Sequence, residues 1–130
     1  MSRGVVVLAA LVVVGAIVPA PGTPSSDEGR QLVGTVGPGF SISLAQDGQA
    51  VTSAMTLRPG VYWLTVHDLS DRHNFHIFGP DGLDEVVTTV PYVGDATVKI
   101  LVKHGTVTFQ CDPHSATMHG SFTVGGVGEE

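Results

Sequence analysis

Turn residues recur at short intervals along this chain, and the segments between them are short and rich in β-branched side chains. Gly37-Pro38-Gly39, Gln46-Asp47-Gly48, Arg58-Pro59-Gly60, Gly79-Pro80-Asp81-Gly82 and His104-Gly105 all punctuate the sequence in this way. Between them the spacing predicts strands at Leu32–Val36, Phe40–Leu44, Val51–Leu57, Val61–Asp68, His73–Phe78, Glu85–Val90, Ala96–Lys103, Thr106–Cys111 and Ser121–Val124. Val61–Asp68 is the clearest, with Tyr62, Leu64 and Val66 alternating with Val61, Trp63 and Thr65, so that both faces carry bulk. Val98, Ile100 and Val102 share one face of their segment, and Val107, Phe109 and Cys111 share one face of the next. No segment shows a helix period, and no internal repeat is present. Seven or eight of these nine segments, paired as short strands within about a hundred residues, predict an all-β sandwich.

One loop carries unusual chemistry. Cys111-Asp112-Pro113-His114-Ser115-Ala116-Thr117-Met118 brings the only cysteine of the chain together with an imidazole and a thioether. Cys111 ends a strand whose odd-numbered side chains point inward, so its sulfur starts buried. Pro113 fixes its own φ and pushes Asp112 toward an extended conformation, which stiffens the turn that carries His114 back over Cys111. Met118 can approach the same point from the other side. A thiolate, an imidazole and a weak sulfur donor form a ligand set suited to copper cycling between Cu(I) and Cu(II). A second imidazole is available upstream in Arg72-His73-Asn74-Phe75-His76. On a strand His73 and His76 face opposite ways, so only one of them can enter a shared site.

From about Thr56 to Val124 these motifs resemble the cupredoxins, the small blue-copper proteins related to plastocyanin, pseudoazurin and amicyanin. The resemblance implies a Greek-key β-sandwich with one type 1 copper per chain, bound by His73, Cys111, His114 and Met118. It selects His73 over His76, because in the family a His-Asn pair supplies the first histidine and its asparagine braces the two ligand-bearing segments. It further implies that the protein is no enzyme, and that it shuttles single electrons as a monomer, exchanging them with a protein redox partner that docks near His114 and Pro113. A carrier or store of Cu(I) would use the same soft ligands and is the alternative function. His67, His104, His119, Met55 and Trp63 fall outside the motif. The first three read as surface or turn groups, Met55 as apolar filler and Trp63 as core packing.

Residues 1–22 are expected to act as an export signal or, if uncleaved, as a membrane anchor. Met1–Arg3 is a short positive start, and Val5–Val18 is an apolar run of signal-core length. Residues 23–31 read as a flexible linker, and 32–126 as the folded domain. Export to a periplasmic or extracellular space sharpens the meaning of the lone cysteine, since exported domains usually pair theirs. Without Arg3, five basic residues face twelve acidic ones. So acidic a domain is unsuited to nucleic acid, whose phosphates require a basic surface. Three other chemistries lack their residues. A two-copper centre needs a second cysteine where Ser115 stands. A multicopper oxidase needs a histidine where Gln110 stands and paired His-x-His motifs elsewhere. A Cys-His hydrolase needs a substrate cleft and an oriented base.

Overall fold

The computed structural model describes residues 30–125. The expected signal segment and all but the end of the expected linker lie outside the described residues. Ten strands follow one another: β1 (Arg30–Val36), β2 (Ile42–Gln46), β3 (Gln49–Ala50), β4 (Thr56–Leu57), β5 (Gly60–Asp68), β6 (Phe75–Phe78), β7 (Asp84–Thr88), β8 (Gly94–Val102), β9 (Gly105–Gln110) and β10 (His119–Val124). They form two five-stranded sheets, ordered β3-β2-β1-β5-β8 and β4-β10-β9-β6-β7. β1 runs parallel to β5 and β4 parallel to β10, while the other pairs are antiparallel. No helix among the described residues is long and apolar enough to cross a membrane.

Period-two alternation builds the core. Tyr62, Leu64 and Val66 of β5 point inward with Leu32, Val36, Leu44, Ile100 and Val102 of the same sheet. Phe75, Ile77, Val107, Phe109, Phe122 and Val124 meet them from the second sheet. Phe75 and Phe109 stack with ring centroids 5.9 Å apart and planes 2° from parallel. Gly34 makes room for this pair, because a Cβ there would lie 2.8 Å from the Phe75 ring. Asp47 and Gly48, both at positive φ, make the two-residue turn that joins β2 to β3.

Several strand expectations need correction. β1 begins at Arg30, so Arg30 and Gln31 belong to the sheet and not to the linker. Of Val51–Leu57, only Thr56–Leu57 pairs, because Met55 N–H bonds back to the Thr52 carbonyl and makes a turn. Phe40 lies in the loop before β2, which the Gly37 N–H closes by bonding the Ser41 carbonyl. Trp63 is not core. It is 36% exposed on the outer face, with Lys99 Nζ 5.5 Å from its ring centroid. His67 reaches across the β5–β8 pair to Asp95 at 2.8 Å, as a surface group should.

Candidate metal centre

The second sheet delivers a cysteine, and two loops deliver imidazoles to it. Cys111 follows β9 in an extended conformation (φ −98°, ψ 118°), so its side chain keeps the inward direction of Val107 and Phe109. It is fully buried. Pro113 then starts a single 3-10 turn over Asp112–His114, with His114 N–H bonded to the Cys111 carbonyl at 3.1 Å. Met118 N–H returns to the His114 carbonyl at 2.8 Å, and Cys111 N–H bonds the Met118 carbonyl at 3.0 Å. The loop is thus closed on itself by its own backbone. Met118 is fully buried in the same apolar cluster as Cys111.

His73 lies before β6 and not on it, so strand alternation does not decide its direction. Asn74 and the residues after it do. Asn74 Oδ1 accepts the Asp112 N–H at 2.7 Å, and its Nδ2 donates to Asp112 Oδ2 at 3.1 Å. The upstream segment is thereby fastened to the cysteine loop. Phe75 N–H is taken by Thr88 Oγ1, and the β6–β7 register shifts between Phe75 and His76. His76 consequently points away from His73, to the outer face.

A carbonyl sets the His73 tautomer. Its Nε2 lies 2.7 Å from the Gly39 carbonyl oxygen, which can only accept. Nε2 therefore carries the proton, and in the neutral ring Nδ1 presents a bare lone pair. That Nδ1 lies 3.1 Å from His114 Nδ1, and Cys111 Sγ lies 3.7 Å and 3.6 Å from the two nitrogens. The point equidistant from three atoms so spaced is about 2 Å from each, close to the bond lengths of about 2.0–2.3 Å at which nitrogen and sulfur hold a zinc-sized ion. His73, Cys111 and His114 can hold one metal ion, and they are the only histidine, cysteine or carboxylate group so placed among the described residues. The donor set is soft and borderline, which disfavours calcium and magnesium.

Phe40 covers this trio. Its ring centroid is 5.5 Å from that of His73 and 5.0 Å from that of His114, and it is 62% exposed. His73 is buried, whereas His114 is only partly so. Sequence reasoning missed both Phe40 and the Gly39 carbonyl, having read Gly37–Gly39 only as a strand break. It also missed Asp112 as an anchor. Burial alone would raise the Asp112 carboxyl, but hydrogen bonds from Gln110, His76 and Asn74 together hold it below its ordinary value.

His76 is shifted the other way. Burial would lower it, yet its bonds to Asp84 and Asp112 outweigh burial and raise it above its ordinary value of 6.5. A histidine raised in the fold adds stability that is fully present below pH 6.5 and is lost as pH rises through the raised value. Denaturant unfolding of the metal-free protein is therefore expected to show this loss above pH 6.5. His76→Gln should remove that component, and an unchanged pH profile would contradict the assignment.

No protein-family model matches the chain, and no curated protein matches it by sequence. Solved structures do. Rusticyanin from Thiobacillus ferrooxidans superposes with a TM-score of 0.50 at 22% identity, over 73% of this chain and 76% of that one. A second structure, described as the copper protein rusticyanin, gives a TM-score of 0.52 at 22% identity over the same shares. A rusticyanin variant gives 0.51 at 23%, again over those shares. The two packed sheets and these superpositions agree: the chain has the cupredoxin fold.

Proposed function

We propose that this protein is a small blue-copper electron carrier, in which His73, Cys111 and His114 would hold one copper and Met118 would add a weak fourth sulfur donor. The observation that carries the reading is the trio itself, with a buried thiol and two Nδ1 atoms within 3.7 Å of one another. When bound, copper supplies one-electron chemistry. The chain supplies two imidazole nitrogens and one thiol at fixed spacing, a donor set that would suit both oxidation states of copper. The Gly39 carbonyl orients His73, the closed loop orients Cys111 and His114, and Phe40 with the buried core keeps water from the sulfur.

His114 is the partly exposed edge of the trio, and Phe40, Pro113 and Ala116 are exposed apolar groups on the loops around it. A redox partner docking here would meet apolar surface next to a ligand ring, and an acidic domain would favour a basic partner. Export through residues 1–22 belongs to the same reading, because coordination protects a single thiol outside the cytosol.

Visible absorption of the copper-loaded full chain tests this directly. An intense thiolate-to-copper band that bleaches with ascorbate and returns with ferricyanide is expected. A colourless copper-loaded protein that ferricyanide leaves unchanged would instead mean Cu(I) carriage. Met118→Leu is expected to retain copper and to raise the reduction potential, since losing the thioether further favours Cu(I). The swap conserves volume, so stability should change by less than about 1.5 kcal/mol. Voltammetry showing an unaltered potential would remove Met118 from the ligand set.

A further inference from the structure

The hydrogen bonds behind the metal loop end on a histidine outside both the trio and the core. His76 of β6 has a side chain 19% exposed. Its Nδ1 lies 2.9 Å and 3.1 Å from the two oxygens of Asp112, and its Nε2 lies 2.6 Å from Asp84 Oδ1. Ionised carboxylates only accept hydrogen bonds, so both ring nitrogens must donate, and only the imidazolium has two N–H groups.

The ring also spans the sheet. Asp84 opens β7, on one side of β6, and Asp112 follows β9, on the other. Gln110 of β9 adds its own donor to Asp112 Oδ1 at 2.8 Å. Across Gln110 in the same row stands His119 of β10, whose Nδ1 is turned to the Ser115 carbonyl. The charged groups facing the His76 ring are therefore Asp84 from β7 and Asp112 from the loop after β9. Asp112 in turn is the residue that Asn74 grips, next in the chain to Cys111.

We propose that His76 is a positioning residue for the metal loop, an imidazolium clamped between Asp84 and Asp112 that holds Asp112 in place and offsets its charge beside Cys111. This rests on the reading of the trio as a copper centre. A carboxylate next to the thiolate ligand favours the more positive state of a bound ion, and a cation on that carboxylate opposes the effect. Without the imidazolium, Asp84 and Asp112 face a neutral side chain as two unbalanced charges. The Cys111–His114 turn then loses one of the anchors behind it.

The test compares the full chain with His76→Gln and His76→Lys. In metal-free wild type at pH 7, ¹⁵N spectra are expected to show both His76 nitrogens protonated, and a neutral tautomer would overturn the clamp. The Cys111 and His114 amides should exchange at least tenfold faster in metal-free His76→Gln, and unchanged exchange would remove the positioning role. With copper bound, His76→Gln should lower the reduction potential and His76→Lys should recover most of it. Equal potentials in all three proteins would overturn the charge-offsetting role. If the wild type gave no blue copper form, the copper reading would fail instead. The ring spectrum and amide exchange of the metal-free protein would still decide the clamp.

Discussion

Cys111→Ser is expected to abolish the visible thiolate-to-copper band and weaken copper binding by several orders of magnitude, while leaving the β-sandwich folded. The loss is chemical. A thiol ionises readily against a metal ion, whereas a hydroxyl does not, and oxygen is a hard donor poorly suited to Cu(I). The fold survives because serine is nearly the same shape and its hydroxyl has a waiting acceptor. His73 Nδ1, left bare by the Nε2 bond to the Gly39 carbonyl, faces the position of the sulfur. A buried hydroxyl with a partner avoids most of the roughly 1–3 kcal/mol cost of an unsatisfied one. That is small against the about 5–15 kcal/mol that keeps an ordinary domain folded. Absorption titration with copper, beside circular dichroism of the metal-free variant, checks both halves. A variant that stays blue would remove Cys111 from the site.

Phe75→Ala is expected to have the largest effect on stability, a loss of about 3–5 kcal/mol. Phe75 is fully buried, stacked on Phe109 and pressed against the small space that Gly34 leaves for its ring. Truncation removes one ring of the stack and opens a cavity that strands paired on both sides cannot collapse to fill. Because Phe75 directly follows Asn74, the same change should loosen the brace on Asp112 and increase the rate of metal loss. Urea unfolding of the metal-free protein measures the first effect. A change below about 1 kcal/mol would mean that the ring is not the packing element described.

Much of this was legible in the sequence, for identifiable reasons. Alternation grouped Tyr62, Leu64 and Val66 on one face of β5 and Ile100 and Val102 on one face of β8, and all five are buried. Cys111 and His114 were readable because only two residues, one of them a proline, separate them and leave the chain few paths between them. What depends on distant parts of the chain was hidden. Gly39 and Phe40 reach His73 across 34 and 33 residues, and no local pattern records that meeting. Trp63 looked like core because its strand is bulky on both faces, but only one face of that sheet is covered. His76 was visible only as a rival to His73. Its partners Asp84 and Asp112 come from β7 and from the turn after β9, on either side of β6, a neighbourhood set by sheet order and not by sequence distance.

X-ray absorption at the copper edge, on the full chain loaded with one equivalent of Cu(II), reads the ligand shell without reference to colour or activity. A shell of one short sulfur and two imidazole nitrogens is the expected result, and it should lose its sulfur in Cys111→Ser. A shell of nitrogen and oxygen alone in the wild type would mean that the buried thiol and the two rings do not share an ion.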